Sequence, residues 1–392
     1  MAPDFYREIH DFAVIGAGIA GASVAYALTT GAAADHGVSV VVVERESQPG
    51  YHATGRSAAM FMESYGTLAV RQLTRASRAF YASPPQDFAA REILTPRGCL
   101  YIAALGQEHE LQQTFEALLE TGSDVHRVDA AEAMSRVPVL RAESLCGAIA
   151  EDDACDMDVH ALHEGYLKGM RARGGHLVLE ATLEQADRAD GVWTLRFADG
   201  RLLRARTIVN AAGAWADPVA EICGARPAGI EPRRRTAFTF RPPEGVDSRH
   251  WPTVISVDET FYFKPDAGQL LGSPANADPV APHDVVAEEL DVAMGIYRIE
   301  EATRLQIRRP ASTWAGLRSF APDGDFVVGW DPGREGFFWL AGQGGYGIQT
   351  ASATSALAAA LLRGQPVPAH IAATGFKLDA VAPRRLSTLA TV

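Results

Sequence analysis

Apolar positions along this chain follow three rhythms. Short continuous runs at Phe12–Ile15, Val38–Val43, Ile208–Asn210 and Phe337–Ala341 predict strands covered on both faces. Alternating runs at Arg235–Phe240, Thr253–Ser256, Thr260–Phe263 and Gln269–Gly272 predict antiparallel strands, and Gly98–Ala103, Trp193–Phe197 and Trp314–Phe320 add further strands. Helical spacing predicts Ala20–Leu28, Ala69–Tyr81, His109–Glu120, Ala161–Arg173 with a stop at Gly174–Gly175, and a long small-residue helix at Gly347–Leu362. Pro84–Pro85 marks a break, and no internal repeat stands out.

The first strand runs into Gly16-Ala17-Gly18-Ile19-Ala20-Gly21, a G-x-G-x-x-G turn opening a helix. Gly16 permits the tight turn, Gly18 lets a pyrophosphate approach the backbone, and Gly21 lets helix and strand pack closely. The helix start, including Ala20, offers N–H donors to phosphate. Glu44 ends the next strand, where a carboxylate can accept both hydroxyls of an adenosine ribose. Two later turns have the same character: Asn210–Trp215, and Gly342–Gln349 ahead of the last long helix. A helix start at the latter suits the pyrimidine edge of a flavin, where negative charge develops on reduction. The three turns in this order favour FAD over NAD.

These segments, with Gln48–Ala59, Lys264–Gly268, Gly272–Pro279, Trp314–Phe320 and Gly344–Gln349, resemble the D-amino-acid oxidase/glycine oxidase superfamily of FAD flavoproteins over almost the whole chain. Within it the chain is most similar to the bacterial D-arginine dehydrogenases. The resemblance implies an α/β fold: a Rossmann-like FAD-binding domain (1–82, 145–225 and 330–392) with an inserted mixed-sheet α+β substrate domain (83–144 and 226–329). It implies non-covalent FAD, since no cysteine follows Cys223 to form the attachment some relatives use. The loop Ala53, Thr54, Gly55, Arg56, Ser57, Ala58, Ala59 and Met60 would wrap the flavin. Arg45 would join Glu44 at the ribose, and Leu183 would give adenine a backbone contact. Gly344, Gly345, Tyr346, Gly347, Ile348 and Gln349 would form the second helix start beside the flavin.

On the substrate side the resemblance implies an amino-acid carboxylate held by Arg235 and Arg318, with Tyr262 and Tyr65 as hydroxyls lining the site and Tyr65 as a lid. From the residues alone, Arg235 also reads as part of a solvated basic run, Arg318 as a buried ion pair, and the tyrosines as core aromatics. Met60, Cys99, Thr253, Ile255 and Gly345 are the expected pocket wall. D-Arginine dehydrogenases carry an acid at the position of Cys99 and a histidine at that of Met60; here both are soft and uncharged. The expected activity is FAD-dependent oxidative deamination of D-amino acids, favouring neutral side chains over D-arginine. The alternatives are oxidation of secondary amines such as sarcosine, and a non-catalytic flavin-binding regulator. Glu63 is a further acid in the lid, of unread orientation.

The 392 residues are 47% hydrophobic and 21% charged, as in globular proteins, with two to three domains expected at roughly 150 residues each. A net charge of −12 excludes a nucleic-acid partner. No run approaches the ~20 apolar residues of a membrane helix, and the start of the chain lacks the pattern of a secretory signal. Cys99, Cys146, Cys155 and Cys223 show no C-x-x-C pair, which predicts free thiols, no metal and a cytoplasmic location, with attachment to the inner membrane face as the variant. The electron acceptor, whether quinone, dye-like carrier or oxygen, has no signature.

Overall fold

The computed structural model describes residues 8–30 and 37–386. The start of the chain through Arg7, part of the stretch read for a secretory signal, lies outside them. The fold is α/β and centres on two large sheets.

In the first sheet His176–Val178, Val40–Val43, Ile9–Ile15 and Leu202–Asn210 run side by side and parallel. Phe337–Ala341 extends it in parallel beside Ile208–Asn210, and Val327–Trp330 follows antiparallel. The continuous apolar runs arise because both faces are covered. Val14, Val40, Val42, Val209 and Phe338 face a core shared with the helices Ile19–Thr29, Val159–Ala172 and Gly347–Leu362. Ile15, Val41, Val43, Ile208 and Trp339 face the opposite core with the helix Ala216–Ile222.

The second sheet runs in the order Gln343–Gly344, Ser312–Phe320, Glu231–Phe240, Gln269–Ser273, Tyr262–Asp266, Thr253–Ser256, Cys99–Ala104, Leu145–Glu151, His126–Val128. Here alternation sorts the two faces. Leu100, Phe238, Phe240, Val254 and Phe263 pack on one side, with Ile299 of the helix Glu289–Ala302. Their chain neighbours Cys99, Thr253, Ile255 and Tyr262 take the other side, which carries the site. The strand Leu145–Glu151 pairs with Cys99–Ala104 in this second sheet. Val327–Trp330 pairs in the first sheet, beside Phe337–Ala341. The helix Glu289–Ala302 is absent from the sequence expectation. Its packed residues Val292, Gly295, Ile296, Ile299 and Ala302 keep helical spacing, but exposed Leu290, Met294 and Tyr297 put apolar residues on the outer face as well and blur the stripe.

Candidate active site

A long channel opens along the ends of the first sheet, and the glycine turn forms one side. Gly16 has φ +100°, and a Cβ there would lie 2.6 Å from the Ala211 carbonyl oxygen. A Cβ on Gly21 would lie 1.8 Å from the Gly16 oxygen, so only glycine lets helix and strand approach. Gly16, Gly18 and Ala20 line the channel; Gly21 lies behind them. The helix Ile19–Thr29 has no carboxylate in its first turn, and Thr54 Oγ1 accepts from Ile19 N–H at 2.9 Å. The helix Gly347–Leu362 also starts without a side-chain cap or an acid, and Gly347 and Ile348 line the channel. Two helix starts without a carboxylate therefore face one cavity, with Thr54 taking only the Ile19 N–H of the first, which suits anionic groups.

Glu44 is buried, and its two carboxylate oxygens accept the Ala17 N–H at 2.8 Å and the Glu46 N–H at 3.0 Å. Each oxygen keeps a further lone pair for a ribose hydroxyl. The Arg45 guanidinium stacks on Trp215 at 4.6 Å, and the His52 ring packs on Trp215 while bonding Glu46 at 2.9 Å. Sequence reasoning missed Trp215 as the platform of this rim. Leu183 lies on the channel wall, as do Ala53, Thr54, Ser57 and Ala58. Gly55 closes a turn through its N–H to the Gly50 carbonyl at 2.8 Å. Arg56 also lines the channel, and its guanidinium reaches Asp284 at 2.5 Å and the Val285 and Ala315 carbonyls at 3.0 and 3.1 Å.

A second, smaller cavity joins this channel. Ser57, Ala58, Arg235, Tyr262, Arg318, Gly345 and Ile348 border both. Arg235 lies opposite Gly316 and Arg318 opposite Arg233 on adjacent antiparallel strands, so both guanidinium stems rise from one face as diagonal neighbours. The same alternation splits the basic run. Arg234 points to the other face and pairs with Glu288, Asp291 and Asp278. Arg233 stacks on Phe320 and pairs with Glu231. Arg235 has a buried Nε with no hydrogen-bond partner, and burial followed by repulsion from Arg318 pushes its pKa down. Arg318 donates to the Tyr65 hydroxyl at 3.0 Å. Burial pulls the Arg318 pKa down, but the surrounding tyrosines Tyr65, Tyr262 and Tyr346 leave it raised. Neither arginine has a carboxylate partner among the described residues. Gly345 makes room for this pair: a Cβ there would lie 2.6 Å from Arg318 Cζ.

Met60, Ala59, Thr253, Ile255, Tyr65 and Gln349 line the second cavity, with Thr253 Oγ1 against Met60 Sδ at 3.3 Å. Tyr346 borders neither cavity; its ring supports Tyr65 at 4.9 Å. Cys99 corrects the sequence expectation. It is 1% exposed, does not border the cavity, and sits in the sheet between Thr253 and Glu151. Met62, which shares its apolar cluster, does border the cavity. Glu63 is turned away from the cavity and bound by Arg78 at 2.5 Å and Arg75 at 3.4 Å. Two charged residues on the cavity border carried no sequence expectation. Lys264 is buried and bound to Asp156 at 2.7 Å; it shares a strand face with Tyr262 two residues earlier, a spacing that could have revealed it. Glu259 stands at the rim, exposed, on a turn with φ +53°.

Residues 11–361 match the family model described as FAD dependent oxidoreductase, and the chain belongs to that family, the D-amino-acid oxidase family of FAD flavoproteins. FAD is its cofactor, and the channel's glycine cradle, Glu44 and two open helix starts fit that group. The chain is 24% identical to hydrogen cyanide synthase subunit HcnC of Pseudomonas aeruginosa, over 93% of this chain and 95% of that protein. Its fold is like that of L-proline dehydrogenase from P. horikoshii, with a TM-score of 0.80 at 19% identity over 97% and 98% of the two chains. It is also like glycine oxidase from Geobacillus kaustophilus, with a TM-score of 0.79 at 21% identity over 91% and 95%. No helix among the described residues is long and apolar enough to cross a membrane, and no group of residues among them could hold a metal ion.

Proposed function

We propose that this protein oxidises the α-carbon of a D-amino acid with a neutral side chain, giving the imino acid, which water hydrolyses to a 2-oxo acid and ammonia. The observation that carries the reading is the Arg235–Arg318 pair. Two guanidinium groups share one strand face at the junction of the FAD channel and the cavity, with no carboxylate of their own. Unpaired buried cations are costly, and a substrate carboxylate relieves both. FAD, when bound, supplies the acceptor for the hydride that leaves the α-carbon.

The chain's own residues bind and aim. Arg318 and Arg235 hold the carboxylate, with the Tyr262 hydroxyl beside them. Tyr65, bonded to Arg318, closes the cavity above the amine. Fixing the carboxylate at one end of the cavity orients the α-carbon toward the channel. The remaining wall takes the side chain: Met60, Met62, Thr253 and Ile255 are apolar or neutral, and Lys264 is the cation among them. A guanidinium inside the cavity would meet a cation and thioethers, the nearby Glu63 is already neutralised by Arg75 and Arg78, and the carboxylate on the border, Glu259, stands exposed at the rim. The resemblance to D-arginine dehydrogenases supports the D configuration and the deamination; the wall favours substrates such as D-methionine and D-leucine over D-arginine.

The test is anaerobic reduction of the bound flavin by a panel of D-, L- and N-methyl amino acids. Bleaching fastest with neutral D-amino acids is expected. A preference for sarcosine or L-proline would assign the same clamp to secondary-amine oxidation, and no bleaching by any member would leave a flavin-binding protein without this activity.

A further inference from the structure

Arg235, Arg318 and Tyr262 stand on paired strands, whereas Tyr65 stands on a loop between the strand Met60–Phe61 and the helix Leu68–Ala82. That loop is tied down on both sides of Tyr65. On one side is Glu151, 1% exposed, at the end of its strand. One carboxylate oxygen accepts the Glu63 N–H at 2.7 Å, and the other accepts the Ser64 hydroxyl. Ser64 Oγ also meets the Tyr101 hydroxyl at 2.8 Å. On the other side, Arg71 Nε donates to the Gly66 carbonyl at 2.8 Å, and its Nη1 donates to Thr121 Oγ1 at 2.6 Å. Glu151 borders neither cavity, so the proposed chemistry leaves it without a task.

We propose that Glu151 is a positioning residue whose carboxylate, through Ser64 and the Glu63 amide, sets Tyr65 against Arg318, and whose protonation loosens that setting. A carboxylate accepts at both oxygens. Once protonated it must donate at one, so Ser64 turns from donor to acceptor there and redirects its own proton to the Tyr101 hydroxyl, whose proton in turn loses its acceptor. The groups around Glu151 are Cys99 and Tyr101 on the adjacent strand, Asp153 in the following turn, Cys155 in the small sheet and Arg71 from the helix. The Glu63 carboxylate is held outward by Arg75 and Arg78. Burial raises the Glu151 carboxyl, the Ser64 hydroxyl and Glu63 amide oppose this, and Asp153 raises it again, leaving it pushed up to about 7. Above that pH the loop is held; as pH falls through it, the hold weakens.

The functional half of this inference rests on reading Arg318 as a carboxylate clamp, and the test separates the two. Amide exchange of the segment 60–67 is measured in the holoenzyme near pH 6 and near pH 8, corrected for intrinsic rates, in wild type, Glu151→Gln and Ser64→Ala. Wild type should be roughly tenfold better protected at the higher pH, and both variants should lose the difference. Alongside, 4-methylpentanoate, a carboxylate with a leucine-like tail and no amine, is titrated against the flavin spectrum. Its Kd should rise several-fold toward pH 6 in wild type and stay flat in both variants. Wild-type pH dependence of exchange retained in both variants, or absent from wild type, overturns the role of Glu151. Failure of the ligand to bind at any pH would instead contradict the clamp, while the exchange data still decide Glu151.

Discussion

The channel and the cavity are built in opposite ways. Most of the channel wall is drawn from a few stretches of chain, within 15–20, 43–58, 181–183, 211–222 and 343–348, with Arg235, Ala237, Tyr262 and 316–319 added where it meets the cavity. Its chemistry is mostly backbone, since glycines clear space and helix starts offer N–H groups. Apart from the stretch 57–65, the cavity takes one or two side chains from each of several strands, and register and parity bring them together. A backbone site tolerates variation in side chains but not in shape. A side-chain site can be re-specified one residue at a time.

This contrast predicts a graded series of effects. Gly21→Ala should have the largest, because its Cβ would lie 1.8 Å from the Gly16 oxygen. The purified protein should lose bound flavin, read as the ratio of absorbance at 450 to that at about 280 nm, with native far-UV circular dichroism. Retained stoichiometric FAD would show that the turn adapts. Arg318→Met should come next, lowering kcat/KM by about 2–5 kcal/mol of transition-state binding while FAD stays bound. Arg235→Met should fall in the same range, and near-native kinetics in both would place the carboxylate elsewhere.

Gly345→Ala sits where the two regions touch. A Cβ at 2.6 Å from Arg318 Cζ must displace the guanidinium, so KM should rise roughly tenfold, about 1.4 kcal/mol, with FAD affinity little changed. Loss of FAD as the main effect would make Gly345 a channel residue. Glu63→Gln should do least. Its carboxylate serves Arg75 and Arg78, so the ratio of kcat/KM for D-arginine to that for D-leucine should hold within about twofold. A collapse of that ratio would make Glu63 a recognition residue.

The same contrast explains what could be read from the sequence. The glycine turn, Glu44 and the last long helix are legible because local spacing carries their physics. The two-sheet α/β architecture follows from continuous apolar runs on one side and alternation on the other. Arg235 and Arg318 were named through resemblance; strand parity turns Arg234 to the other face, while Arg233, on the same face as Arg235, is taken up by Phe320 and Glu231. Cys99 was placed on the wall because strand parity alone does not tell which residues of one face reach a cavity and which stay buried within the apolar cluster. Glu63 could not be oriented because its partners lie about two and three turns into the next helix. Lys264 was legible in principle, two residues beyond Tyr262, yet its burial against Asp156 depends on the distant strand Cys155–Met157.

The central claim is that the paired arginines hold a substrate carboxylate and thereby aim its α-carbon. The most direct measurement is anaerobic flavin reduction by D-methionine against D-methioninol, which keeps the amine and the tail but replaces the carboxylate with an alcohol. The account predicts rapid bleaching by D-methionine and reduction slower by about two orders of magnitude or more with D-methioninol, as expected when a buried charge pair is lost. Equal rates for the two would contradict it.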